Sequence, residues 1–177
     1  MKTKKNIKSC LLSLIAVVLV SCATAPEKNK MIPYIDYSTF TSSGRTVKIT
    51  EVKGGEKTGW DVSKIDNKSF KEALIDTLKK SGLFKEVLTV RTGDYKLDTE
   101  IVSQKLQPGI TAYAALFVHY SFVETKTNQV IWSENIFSQN DAFGENQGKD
   151  VLEGAARDNL ARLIKKLAKI LNQQNIK

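Results

Sequence analysis

The sequence predicts an α+β domain: a mostly antiparallel sheet of about five strands with two amphipathic helices packed on one face. Two stretches, beginning near Phe70 and Leu152, repeat apolar side chains at three and four residues, the helical period. Five shorter stretches alternate or run apolar at strand length, and the last three are joined by short turns, which suggests an antiparallel meander.

Residues 1–8 carry four lysines and no acid, and residues 10–20 are apolar except for Ser13. A basic start before an apolar run of about half the length of a membrane span is a secretory signal rather than a transmembrane helix. At its end stand Leu19, Val20, Ser21 and Cys22: an aliphatic residue, a spacer, a small residue and a cysteine. This run resembles the bacterial lipobox. The resemblance implies cleavage between Ser21 and Cys22, a diacylglycerol on the Cys22 thiol and an N-acyl lipid on its amine. Each buried methylene contributes about 0.8 kcal/mol, so two or three chains hold a protein to a membrane far more firmly than one. In lipoproteins of Gram-negative bacteria an Asp after the cysteine is the common signal for inner-membrane retention. Ala23 stands there instead, which favours the outer membrane, periplasmic face.

Removing residues 1–21 and their four lysines from a chain of 177 residues and net charge +8 leaves 156 residues and +4. That size buries about two-thirds of the unfolded surface, enough for one core without staples. Cys10 leaves with the signal and Cys22 is taken up by lipid, so no thiol is left for a disulfide, a metal or thiol catalysis. The compartment and the lack of a basic, aromatic recognition motif argue against nucleic acid, while the modest positive charge is compatible with an anionic lipid surface. The expected organisation is a signal peptide at 1–21, a lipidated tether at 22–45, an α+β periplasmic domain at 46–172 and a polar tail at 173–177.

Within the expected tether, Lys, Ser, Thr and Pro dominate without a period, and only Met31 to Ile35 is apolar enough to pack on the domain as a short edge segment. Residues 46–52 alternate and form the first strand; Gly54, Gly55 and Gly59 then bracket a polar loop leading to Trp60. Asp66 or Asn67 caps a helix whose apolar face is Phe70, Ala73, Leu74, Thr77 and Leu78, and Ser81-Gly82 stops it. Residues 84–90 are a second strand. Tyr95, Leu97, Thr99 and Ile101 alternate with Lys96, Asp98 and Glu100 in a third, broken at Gln107-Pro108-Gly109. Residues 112–124 form a fourth strand, apolar on both faces from Ala114 to Val118 and hence central. A turn at 126–129 leads to a fifth containing Val130, Ile131, Trp132 and Ile136, and residues 141–148 are polar. The final helix opens at Asp150 with a stripe of Leu152, Ala155, Ala156, Asn159, Leu160, Leu163, Leu167 and Leu171. Asn159 in that stripe needs buried partners, expected in a nearby loop, and Gly154, Ala155 and Ala156 allow a close approach to the sheet.

Catalytic signals are weak. His119, the only histidine, can act as a general base only with a nucleophile and an orienting group in reach, and the sequence specifies neither. His119 and Glu124 have the spacing of a His-x4-acid acyltransferase motif, but residues five apart on a strand face opposite ways, and the hexapeptide repeats of left-handed β-helix acyltransferases are absent. Residues 54–59 hold Lys-Thr near glycines, yet Glu56 stands where a phosphate-binding loop needs Gly. No cysteine pair, His-x3-His or acidic calcium loop supports a metal, and no cofactor is expected beyond the lipid on Cys22. Trp60, with Gly54 and Gly55 before it, is the candidate partner contact, and Trp132 belongs to the core.

Phe70-Lys71-Glu72-Ala73-Leu74, Leu78, Ser81-Gly82-Leu83-Phe84, Tyr95-Lys96-Leu97 and Asn128-Gln129-Val130-Ile131-Trp132 form a pattern across residues 47–171. It resembles several envelope lipoproteins: auxiliary lipoproteins of intermembrane-transport ABC systems, penicillin-binding-protein activators, and proteins with a domain like the amino-terminal part of the Tol-system propeller protein. The resemblance implies a non-enzymatic partner of an envelope machine, so no catalytic residue carries over. The chain lacks the long proline-rich linker of the activators, which argues against reaching through peptidoglycan. The expectation is a lipid-anchored periplasmic accessory protein that binds another envelope protein at a sheet edge or groove, with a homodimer through an exposed edge as a further possibility. The competing expectations are an envelope enzyme using His119 and a lipoprotein exposed on the cell surface.

Overall fold

The last helix and the sheet beneath it are joined by a buried polar network centred on Asn159. In the computed structural model, which describes residues 24–59, 63–107, 109–143 and 147–174, the strands are β1 (Thr46–Lys53), β2 (Glu86–Leu88), β3 (Tyr95–Gln107), β4 (Thr111–Glu124) and β5 (Gln129–Phe143). The helices are a single turn α1 (Lys28–Met31), then α2 (Asn67–Ser81) and α3 (Gln147–Gln174), with a 3₁₀ turn at Tyr37–Thr39. The signal peptide, Ser21, Cys22 and Trp60 lie outside the described residues.

The sheet order is β2-β1-β3-β4-β5. β3, β4 and β5 form the expected antiparallel meander, whereas β1 runs parallel to both of its neighbours. The sheet is therefore mixed and mostly antiparallel. Thr46 and Asp94 tie the start of β1 to the start of β3: the Asp94 carboxylate accepts from the Thr46 N–H (2.8 Å) and hydroxyl (2.9 Å). These hydrogen bonds hold the Asp94 carboxyl below the usual carboxylate range.

Asp66 caps α2 by accepting from the Ser69 N–H at 2.8 Å, and Gly82, left-handed at φ 63°, closes it. Its buried face is Phe70, Ala73, Leu74, Thr77, Leu78 and Ser81. Every residue of the expected α3 stripe is buried, and the two helices cover one face of the sheet over Val47, Ile49, Leu97, Leu116, Val118, Tyr120 and Phe122. Gly154 lets α3 approach β5, since a Cβ there would stand 2.3 Å from Asn140 Nδ2. Asn159 fastens α3 to the sheet, not to a loop. Its amide donates to the Ile136 carbonyl (2.9 Å) and Ser138 hydroxyl (3.1 Å), and its oxygen accepts from Tyr120 (2.8 Å). Burial pushes the Tyr120 phenol well above its ordinary range, so it remains a donor.

The structure corrects the sequence reading at several points. β2 has three residues where residues 84–90 were expected to be strand, because only residues 46–48 of β1 pair with it. β5 continues to Phe143, through part of the segment expected to be a polar loop, because β4 offers a pairing partner as far as Thr111. β4 lies between β3 and β5, but its second face is open. α3 begins before Asp150 and continues through Gln174, which accepts a hydrogen bond from Tyr95 at 2.9 Å, so the expected tail begins within the helix.

The largest departure is at the amino terminus. Residues 24–44 are a strap over the helices, not a free tether, although the apolar run that was its exception does pack. Pro26, Met31, Ile32 and Pro33 are buried, with Met31 in the same cluster as the helix faces and not at a sheet edge. The strap is clamped to α3 by Glu153, 1 % exposed, whose carboxylate accepts from the Glu27 N–H at 2.6 Å. Lys149 pairs with Glu27 and lies 3.9 Å from Glu153, and Lys30 lies 4.0 Å from Glu153 and 3.7 Å from Asp150. Lys28 reaches Glu72 (3.8 Å) and Asp76 (3.4 Å) on α2. Further along, Ser43 donates to the Leu83 carbonyl at 2.8 Å.

Two predictions follow from these buried groups. Asn159→Leu keeps the branching in a larger side chain but strands the Tyr120 hydroxyl and the Ile136 carbonyl, so chemical denaturation should show a loss of about 1–3 kcal/mol for each group left unpaired, with overpacking adding to it. At Glu153, burial raises the carboxyl pKa, and the Glu27 N–H, Lys149 and Lys30 pull it back only in part. A folded-state pKa above the unfolded one means the folded protein holds that proton more tightly, so stability falls as pH rises through the interval between them. Urea midpoints of the wild type, compared with Glu153→Gln from pH 4 upward, should fall relative to the variant across that interval and then run parallel.

Candidate functional site

Two helices cover one face of this sheet and leave the other face of β3, β4 and β5 bare. Side chains alternate along β4, so its odd-numbered residues from Tyr113 to Val123 face away from the helices. Register places Phe137 opposite Phe117, Asn135 opposite His119 and Ser133 opposite Ser121. Phe117 and Phe137 are 40 % and 38 % exposed with ring centroids 4.7 Å apart at 44°. An exposed aromatic pair of this kind has enough apolar area to anchor a contact and enough contact with its neighbours to stay ordered.

Beside the pair, His119 Nδ1 lies 2.7 Å from Asn135 Oδ1 and Nε2 lies 3.1 Å from Ser133 Oγ. The Asn135 oxygen can only accept, so Nδ1 carries the proton and Nε2 accepts from the Ser133 hydroxyl. The order nucleophile, base and orienting amide is that of a hydrolytic triad. Its surroundings are different. Ser133 and Asn135 are exposed on an open sheet face, where water is not excluded and Ser133 gains no low-dielectric activation. Geometrically the three side chains form a cross-strand hydrogen-bond ladder. Glu124, the acid of the acyltransferase-like spacing, is on the other face and accepts from Thr127.

β5 is an edge strand fifteen residues long, with Glu134 and Asp141 as its only charges and neither Lys nor Pro to blunt it. Glu134 is occupied by Lys166 (2.7 Å) and the Trp132 indole N–H (3.0 Å), so it braces α3 and does not guard the edge. Trp132 is half-buried over Tyr120, with ring centroids 6.5 Å apart.

The glycines proposed for partner contact have a folding role. Gly54, at φ 76°, presses on the Ile101 carbonyl beside the β3 bulge, where a Cβ would stand 2.1 Å from the oxygen. The Gly55 N–H donates to Asn67 Oδ1 at 2.7 Å. Packing accounts for the lack of a side chain at both positions. The described residues also form two shallow clefts. One of about 360 Å³ lies at the end where β3 begins, among Arg45, Thr46, Asp94, Glu124 and Lys126. The other, about 340 Å³, lies between the strap and α3, where Arg157 sits 4.9 Å from the Tyr34 ring centroid. Neither is lined by His119, Ser133 or Asn135.

No family model and no curated protein matches the chain. The fold is similar to that of protein XCC0632 from Xanthomonas campestris, of the DUF330 family, with a TM-score of 0.68 and 10 % identity over 88 % of this chain and 99 % of that one. It is similar at a TM-score of 0.52 to PelC from Paraburkholderia phytofirmans, solved as a dodecamer, at 12 % identity over 72 % of this chain and 90 % of PelC. A TM-score of 0.51 relates it to protein CT253 from Chlamydia trachomatis, at 12 % identity over 70 % of this chain and 98 % of that one. At such identities the shared property is the fold.

Because Phe117 and Phe137 belong to a surface and not to the core, replacing both by Ser should cost about 0.5–1.5 kcal/mol for the ring pair and about 1–2 kcal/mol per ring for the area the sheet covers. Thermal unfolding of the double variant checks this; a loss several times larger would mean that the open face is part of the folding core.

Proposed function

We propose that this chain is a lipid-anchored accessory protein of the bacterial envelope that acts by docking, through the open face of β4 and β5 and the free edge of β5, onto a protein partner or onto further copies of itself. It is held by acyl chains on Cys22 at the periplasmic face of the outer membrane, and no bond is made or broken.

The observation that carries the docking reading is the pairing of exposed Phe117 and Phe137 next to a long, uncharged stretch of edge strand. A strand edge offers unpaired N–H and C=O groups, and a partner strand added there extends the sheet while its side chains fill the space over the aromatics. The dodecameric assembly of PelC, which has this type of fold, supports the self-association arm. The run from Leu19 to Cys22, with Ala23 after it, supports the anchor and its membrane. The exposed setting of His119 and Ser133 supports action without catalysis.

Two experiments test this reading. Cys22→Ser should abolish incorporation of labelled palmitate and release the protein from washed membranes; persistent labelling would sink the anchor. In cells lacking the native protein, Phe117→Asp with Phe137→Asp should fail to complement although folded, and His119→Ala with Ser133→Ala should complement fully. The reverse pattern would replace docking with an enzyme.

A further inference from the structure

We infer that the end of the domain bearing Ile110 and Phe143 rests in the bilayer, these two side chains entering the lipid beside the acyl chains of Cys22. The inference rests on the proposed lipidation of Cys22 and adds an orientation that the anchor alone does not specify.

Ile110 and Phe143 are 79 % and 80 % exposed. Phe143 ends β5, and Ile110 precedes Thr111, the residue that pairs with Phe143, so the two apolar side chains project from one end of the sheet. Neither contributes to the core cluster.

The amino terminus emerges at that same end. The Thr24 carbonyl accepts from the Ser63 hydroxyl at 2.9 Å. Two residues on, Ile65 is gripped through both its N–H (2.8 Å) and its carbonyl (3.2 Å) by the Gln104 side chain, near the end of β3. Glu27 is paired with Lys149 in the first turn of α3, and the neighbouring Gly148 lies against Leu106, where a Cβ would stand 3.2 Å from the Leu106 methyl. Thus the start of the strap, the end of β3, the end of β5 and the start of α3 share one end of the domain. Cys22 is two residues before Thr24, so at about 3.5 Å per residue its acyl chains begin within about 7 Å of it. A tether of some twenty residues would leave the domain free to tumble; a lead of two residues into a clamped strap does not.

The opposite end is mainly charged, with Val130, 55 % exposed, as an aliphatic side chain beside its turn. It carries the 125–128 turn and the cleft lined by Arg45, Asp94, Glu124 and Lys126. Facing it away from the membrane puts the charged end in water and removes the two exposed apolar side chains from it, the favourable direction for each.

The test uses the lipidated full-length protein reconstituted into phosphatidylethanolamine and phosphatidylglycerol vesicles. With Cys10 lost in the signal and Cys22 acylated, a cysteine placed by Ile110→Cys, Phe143→Cys or Thr127→Cys is the one free thiol for an environment-sensitive fluorophore. All three sites are on the surface, and circular dichroism checks that the variants are folded. A nitroxide on the lipid acyl chains should quench the label at 110 and 143 severalfold more than at 127. Equal quenching at the three sites, or stronger quenching at 127, overturns the orientation. Palmitate labelling of the same samples separates the two claims: with palmitate present and the quenching pattern absent, only the orientation has failed; with palmitate absent, the lipidation reading has failed and takes the orientation with it.

Discussion

The contact on which the placement of the whole chain depends is the clamp between Glu27 and Glu153. A carboxylate that is 1 % exposed loses most of its hydration and is tolerated only where donors replace the water. The Glu27 N–H is such a donor, and Lys149 and Lys30 surround the pair with positive charge. Burial still dominates, since the Glu153 carboxyl remains above its ordinary value. Such a pair contributes little net stability relative to an apolar replacement, but it tolerates few alternatives. A strap displaced along α3 would leave the carboxylate buried and without that donor. The clamp therefore fixes position more than it stabilises, and position is what the proposed anchor needs.

A second constraint acts on the sheet. Two long helices and a strap occupy one side, and among the described residues no further helix covers the other. The bare side carries Phe117, Phe137 and the His119 ladder, with the unpaired β5 edge next to it. In the proposed reading the covered side holds the domain together and presents its amino terminus, while the bare side and edge meet other proteins. This division of labour needs no catalytic group.

The helices and the meander were legible because their periods are strong and their ends are marked: Asp66 caps, Gly82 stops, and short turns join β3 to β4 to β5. The strap was half legible. Met31 to Ile35 stood out as apolar, but nothing local shows that Glu153, more than a hundred residues away, would hold Glu27. The Ser133-His119-Asn135 ladder was not legible, for a specific reason. Counting back from the Glu124 and Gln129 pair at the turn puts Glu134 opposite His119, and only the irregularity between the Phe122 and Val123 pairings shifts Asn135 into that place. A one-residue bulge changes every later pair and inverts the in/out phase, and the consecutive apolar run Val130-Ile131-Trp132 hides where the phase turns over. The parallel pairing of β1 was hidden too, because it depends on β2 and β3 flanking it, a long-range choice.

The central claim is that the segment after Cys22, the proposed lipidation site, is folded onto the domain and so orients it. Hydrogen exchange of the amides of residues 30–35 in the lipidated, membrane-bound protein tests this most directly, with the N–H groups of β4 as the internal reference. A clamped strap predicts slowed exchange for this segment, with Glu153→Ala accelerating it while β4 is unchanged. Exchange of residues 30–35 at the rate of an unstructured peptide in the wild type would contradict the account and return the segment to a free tether.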